Sequence, residues 1–172
     1  MNPLSKDAVF DIIQSYDNDP QQLLAILLDI QAASGKNYIE KQWAELVSEV
    51  LKLPLSSIFD ALTFYSMFST SPRGKYLIEI CQSAPCRFCN ADKIISWAEA
   101  EAGIKMGQTS SDGKITLLYT NCVGACDKGP VIKIGDTVFG DLDEEKVRAL
   151  VQCCQEGKLH EGNLKEAFPC QN

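Results

Sequence analysis

The residues with the widest chemical reach are eight cysteines, at positions 81, 86, 89, 122, 126, 153, 154 and 170. Five of them fall in two short stretches, CQSAPCRFC from Cys81 to Cys89 and NCVGACDKGP around Cys122 and Cys126. Thiols set this closely serve as ligands to zinc or iron, or as a redox dithiol. The opening residues MNPLSKDAVFDII lack the basic-then-apolar order of a secretory signal, so the chain is expected to stay in the cytoplasm. In a reducing compartment, metal or redox chemistry is favoured over structural disulfides.

Other residue types offer less. His160 is the single histidine, which excludes a two-histidine iron site, and it lies in a polar stretch where a loop role suffices. No G-x-G occurs, so a dinucleotide would find no glycine-rich phosphate turn in this chain. The net charge is −7, and residues 1–70 hold four Lys against nine Asp plus Glu. That sign is wrong for nucleic acid or for an anionic membrane surface. The apolar run from Leu23 to Ile30 is broken by Asp29 and too short to span a bilayer, so no direct membrane insertion is expected.

The elements that must position the cysteines follow from periodicity. Residues 1–72 read as a small packed helical domain. Asp19-Pro20 supplies a cap and a first-turn proline for a helix ending near Gly35. Trp43, Leu46, Val47, Val50 and Leu51 form one apolar stripe, Leu53-Pro54 breaks it, and Ile58, Phe59, Leu62, Tyr65 and Met67 continue in another helix. Beyond a linker at Ser69–Gly74, Tyr76–Ile80 predicts a strand. Asn90 is expected to cap a helix with Ala91, Ile94, Ile95, Ala98 and Ala102 inward, ending at Gly103. Ile115–Thr120 predicts a second strand. Val131–Ile134 and Thr137–Phe139 flank the hairpin signal Gly135-Asp136. Asp141 with Glu144 resembles a capping box, opening a helix with Val147, Leu150, Val151 and Cys154 on one face. The fold class is therefore α+β, a helical bundle followed by a βαβ-ββα, thioredoxin-like layer of sheet and helices over residues 73–154. Residues 155–172 read as a polar tail.

A right-handed crossover makes the two strands of the βαβ half parallel, with their carboxyl ends at one sheet edge. Cys81 and Cys86 follow the first strand, and Cys122 and Cys126 follow the second, so two distant pairs converge where open α/β sheets place ligands. Three arrangements compete. Cys81, Cys86, Cys122 and Cys126 use both loops, for iron–sulfur or for a zinc-stapled interaction module. Cys81, Cys86, Cys89 and Cys122 have the plant-type ferredoxin spacing but leave Cys126 idle. Cys86-x-x-Cys89 alone has the form of a thiol–disulfide oxidoreductase motif.

CQSAPC and GQTSSDGKITLLYTNCVGACDKGPVIKI resemble the thioredoxin-like [2Fe–2S] subunit of NADH:quinone oxidoreductase (complex I). Subunits of that type also occur in NAD-linked hydrogenases and formate dehydrogenases. LLAILLDIQAASGKNYIE and ALTFYSMFSTSPRGKY extend the likeness, which runs from about Leu23 to Val151. It implies one [2Fe–2S] cluster held by Cys81, Cys86, Cys122 and Cys126, with no catalytic residue in this chain. It also implies partners: a flavoprotein subunit carrying FMN and NAD(H), and further iron–sulfur, hydrogenase or formate dehydrogenase subunits. The abundance of cysteine favours a soluble anaerobic assembly. Cys89 departs from the family pattern.

A cluster of this kind is anionic in both oxidation states, so backbone N–H groups must point at its sulfurs. Ser83, Ala84, Gly124 and Ala125 are small enough to allow that approach, and Pro85 and Val123 are placed to exclude water. Asp127 is expected to cap its own loop. Cys154, Trp43 and Trp97 fall on apolar helix faces and read as packing.

Overall fold

The computed structural model describes residues 4–158 of the chain. The remaining tail, with His160 and Cys170, lies outside the described residues. The chain divides into two compact units, Met1–Arg73 and Gly74–Asn172.

The first unit holds four helices: α1 (Lys6–Ser15), α2 (Leu23–Ala33), α3 (Lys41–Leu51) and α4 (Leu55–Phe64). Ser5 caps α1 by accepting the Ala8 N–H at 3.2 Å. Asp19 accepts from Gln21 N–H at 2.9 Å, so it caps a 3-10 turn, Pro20–Gln22, that leads into α2. The apolar stripes meet in a core that includes Val9, Ile13, Ile26, Leu27, Ile30, Val47 and Ile58. Trp43 packs there as expected. Tyr65 and Met67 do not extend α4, which ends at Phe64; both are exposed. The cause lies on α2. The buried Gln31 amide donates to Met67 O at 2.9 Å and accepts from Ser69 N–H at 2.9 Å, which draws this segment out of helical geometry.

The second unit is built on a four-stranded sheet, β1 (Tyr76–Cys81), β2 (Ile115–Thr120), β3 (Ile132–Ile134) and β4 (Thr137–Phe139), in spatial order β2-β1-β3-β4. β1 and β2 run parallel, with Tyr76 opposite Ile115 and Cys81 opposite Thr120. β3 is antiparallel to both β1 and β4. At the β3–β4 hairpin only Gly135 of the central pair has positive φ, the pattern that puts glycine first in a two-residue loop. Tyr76, Ile78 and Ile80 alternate with Leu77 and Glu79, and their inward side chains pack with Ile94, Ala98, Val147, Leu150, Val151 and Cys154. These last six belong to α6 (Ala91–Ala102) and α7 (Glu144–Glu156), which cover one face of the sheet.

Three local expectations need correction. A short helix, α5 (Ala84–Phe88), occupies what reads as loop between β1 and α6. Asn90 makes no side-chain cap; it adopts a left-handed conformation, φ 66°, because the chain must turn from α5 into α6 there. α7 is capped by Asp143, whose carboxylate accepts from Lys146 N–H at 2.8 Å, while Asp141 takes a left-handed turn, φ 51°.

Candidate metal centre

The parallel pairing of β1 and β2 decides where the thiols go. Cys81 is the last residue of β1, opposite the last residue of β2. The ladder continues one step further on each side, with Gln82 N–H donating to Thr120 O at 3.2 Å and Cys81 N–H to Val131 O at 3.1 Å. The end of β1 is thus clamped between the segments that lead into and out of the second cysteine loop. α5 then folds back, placing Cys86 beside Cys81. Both are buried, at 1% exposure, over a small apolar group of Ala91 and Val131 with Val123, Ala125 and Val138 at its margin. Of the two residues expected to exclude water, Val123 lies at this margin and Pro85 is exposed.

Cys122 and Cys126 lie on the other loop, both exposed, with their sulfurs 3.4 Å apart. Two thiolates on one tetrahedral ion at about 2.3 Å stand about 3.8 Å apart, so this pair is already spaced for sharing a metal. Gly124 makes the turn between them with φ +84°. A Cβ there would meet no protein atom within 4 Å, so it is the left-handed conformation of the turn that calls for glycine.

The electrostatics tie the two pairs together. Burial opposes ionisation of Cys81, but the Ser83 N–H and hydroxyl, the Cys86 thiol and the Val123 N–H all donate to its sulfur and hold its pKa below the ordinary value. Cys86 is pushed up to about 11, first by burial and then by its bond to Cys81, with the charges of Cys81 and Cys126 adding; the Val131 N–H works the other way. Cys126 is raised by its bond to Cys122, then by burial and the neighbouring charges of Cys122, Cys81 and Asp127. The donors around Cys81 thus favour its thiolate form against the cost of burial.

Ser83 supplies its N–H as the sequence anticipates. Val123 and Val131 are donors that sequence reasoning did not assign, since any residue's N–H serves. Asp127 lies in the 3-10 turn Cys126–Lys128, which is entered from Ala125 without a side-chain cap, so the capping role is not found. Cys89 is exposed, yet its sulfur lies near that of Cys86: a Cβ on Gly129 would lie 3.7 Å from the Cys86 sulfur and 3.8 Å from that of Cys89. Among the described residues no three His, Cys, Asp or Glu side chains gather around one point to hold a single ion. The donors come as two pairs. That donor set fits a two-iron centre, in which each iron takes two thiolates.

Comparison with known proteins agrees. The thioredoxin-like [2Fe-2S] ferredoxin family matches residues 9–155. A component of the NADH-quinone oxidoreductase of Rickettsia typhi is 34% identical over 142 residues, which cover 82% of this chain and 84% of the relative. Its counterpart in Rickettsia prowazekii is 32% identical, over 82% of this chain and 80% of the relative. Among solved structures, air-oxidized NAD+-reducing [NiFe]-hydrogenase contains a chain with the same fold, at a TM-score of 0.74 and 22% identity. That match covers 88% of this chain and 26% of the hydrogenase chain, so this protein spans about a quarter of its length. No helix among the described residues is long and apolar enough to cross a membrane. The matched span takes in the sheet, both cysteine loops and most of the helical unit, and on that ground the chain belongs to the thioredoxin-like [2Fe-2S] ferredoxin family.

Proposed function

We propose that this chain is an electron-transfer subunit of an NADH-linked oxidoreductase complex and holds one [2Fe–2S] cluster on Cys81, Cys86, Cys122 and Cys126. The observation that supports it best is the gathering of the four thiols as two pairs at the ends of two parallel strands. When bound, such a cluster supplies one-electron oxidation and reduction.

The chain's own residues hold charge and exclude water around it. The N–H groups of Ser83 and Val123 at Cys81, and of Val131 at Cys86, favour the thiolate forms that ligation needs. Ala91, Val131 and Val138 form an apolar floor beneath the buried pair. The exposed pair, Cys122 and Cys126, is left facing outward, where a partner can approach.

A hydride carries two electrons, and a flavin is the group that separates them. Lacking a glycine-rich dinucleotide turn, the chain leaves FMN and NAD(H) to a flavoprotein partner, with which it exchanges single electrons. The names of its relatives support an NADH dehydrogenase or a hydrogenase as the complex; a formate dehydrogenase is a third candidate from the sequence. Further iron–sulfur, hydrogenase or formate dehydrogenase subunits complete the assembly, which this reading places in the cytoplasm, and residues 1–72 serve as its docking domain.

The test is anaerobic purification followed by metal, sulfide and visible-absorption analysis. The expected result is a reddish-brown protein with two irons and two sulfides per chain, bleached by dithionite. A colourless protein with stoichiometric zinc overturns the reading. Cys126→Ser should remove the iron and Cys89→Ser should not; the reverse would establish the plant-type ligand set.

A further inference from the structure

Cys89 has no part in the ligand set, yet its sulfur and that of Cys86 flank one small volume, at 3.8 Å and 3.7 Å from where a Gly129 Cβ would be. The two residues are three apart across α5, and Cys89 N–H donates to Pro85 O at 3.1 Å, so the helical turn carries through to it. Residues at that spacing have Cα atoms about 5 Å apart, inside the usual range for a disulfide. Their exposure is opposite. Cys86 is buried at 1%, while Cys89 is exposed and its neighbour Phe88 stands 89% exposed. A reagent in solution therefore meets Cys89 before it meets Cys86.

We propose that Cys86 and Cys89 form a reversible disulfide in the cluster-free chain, and that this bond withdraws Cys86 from the ligand set. The inference rests on the ligand reading above. The oxidant is a low-molecular-weight disulfide, RS–SR. The Cys89 thiolate attacks one of its sulfurs, a Cys89–SR bond forms, and RS⁻ leaves. The Cys86 sulfur then attacks the Cys89 sulfur, the Cys89–SR bond breaks, and a second RS⁻ leaves. The two protein thiols lose two electrons to the small disulfide, and their protons end on two RSH molecules. Excess thiol reverses both steps. Cluster insertion thereby becomes conditional on a reducing thiol pool, because a chain in the disulfide form offers three ligands instead of four.

The sequence supplies a clean readout. Trypsin cuts after Lys75, Arg87 and Lys93, so the bond would join peptide 76–87 to peptide 88–93, whereas a Cys81–Cys86 bond would stay inside peptide 76–87. Full-length protein stripped of iron by a chelator and fully reduced is treated with glutathione disulfide, alkylated, digested and weighed. The expected product is the joined pair of peptides with the alkyl group on Cys81, located by fragmentation, and reversed by dithiothreitol; an alkyl group on Cys86 instead, the mark of a Cys81–Cys89 bond, overturns the proposal. Peptide 88–93 left alkylated or carrying one glutathione, or a Cys81–Cys86 bond in its place, overturns the proposal. The same treatment of iron-loaded protein should yield no joined peptide. If the stripped chain forms the bond and the loaded chain forms it equally, the thiol switch stands and the assignment of Cys86 as a ligand falls.

Discussion

The sulfurs of Cys122 and Cys126 stand 3.4 Å apart across a turn that Gly124 makes at φ +84°. An alanine there has room, since nothing lies within 4 Å of the added carbon, but it must adopt left-handed geometry at a cost of about 1–2 kcal/mol. Gly124→Ala is expected to lower unfolding stability by about that amount. Iron should also pass faster from the loaded variant to a ferrous chelator. Transfer at the wild-type rate would mean that the turn does not hold the two sulfurs in register.

Helix α7 depends on one capping contact. Asp143→Ala leaves the Lys146 N–H without its acceptor and should cost about 1 kcal/mol in urea denaturation. Asp141→Asn, two residues earlier, tolerates the left-handed turn at that position and leaves the contact in place, so it should cost less. An equal loss from the two would show that the carboxylate at 143 does not set the start of the helix.

Glu101 joins α6 to α7, accepting from Gln152 Nε2 at 2.7 Å and from Arg148 Nη1 at 2.8 Å. These two contacts, Gln152 first, outweigh burial and hold its carboxyl below the ordinary glutamate value of 4.5. A depressed folded pKa stabilises the protein above the unfolded value and loses that contribution as pH falls through the folded one. Stability from this group should therefore be complete at pH 7 and fade below about 4.5. Glu101→Gln should lower the urea midpoint at neutral pH and flatten the acid limb. An acid limb as steep as wild type in the variant counts against this linkage.

Cys154 is fully buried on the inner face of α7, and burial first, then the adjacent Cys153, push its thiol up to about 12. Since thiolates are the reactive form, N-ethylmaleimide at about pH 8 should modify the half-exposed Cys153 and spare Cys154 until urea is added. Peptide mass analysis distinguishes the two sites. Comparable labelling of both in the folded protein would place Cys154 outside the core.

What the sequence made legible was pattern repeated over many residues. The buried positions Ala91, Ile94 and Ala98 recur at helical spacing, and the alternation along Tyr76–Ile80 marks a half-covered strand; neither depends on one contact. The hairpin at Gly135-Asp136 was readable because one backbone conformation demands glycine. Single-residue choices were harder. Asp141 and Asp143 both precede the same helix, and only the path of the chain from β4 decides which carboxylate meets the first turn. α5 is too short to show periodicity, and it exists because the chain folds back to bring Cys86 to Cys81. The N–H donors at Val123 and Val131 had no side-chain signature at all. The end of α4 was hidden for a similar reason, since the amide that diverts Met67 and Ser69 sits more than thirty residues upstream, at Gln31.

The two cysteine pairs differ in cover: Cys81 and Cys86 are sealed beneath protein, and Cys122 with Cys126 meets the surroundings. A centre held by these four sulfurs would have one insulated flank and one bare contact. Electron tunnelling weakens steeply over a few ångströms, so the protein seated on residues 122–126 would act as the electrical neighbour. Wiring within the assembly would then be settled by which surface complements that single loop.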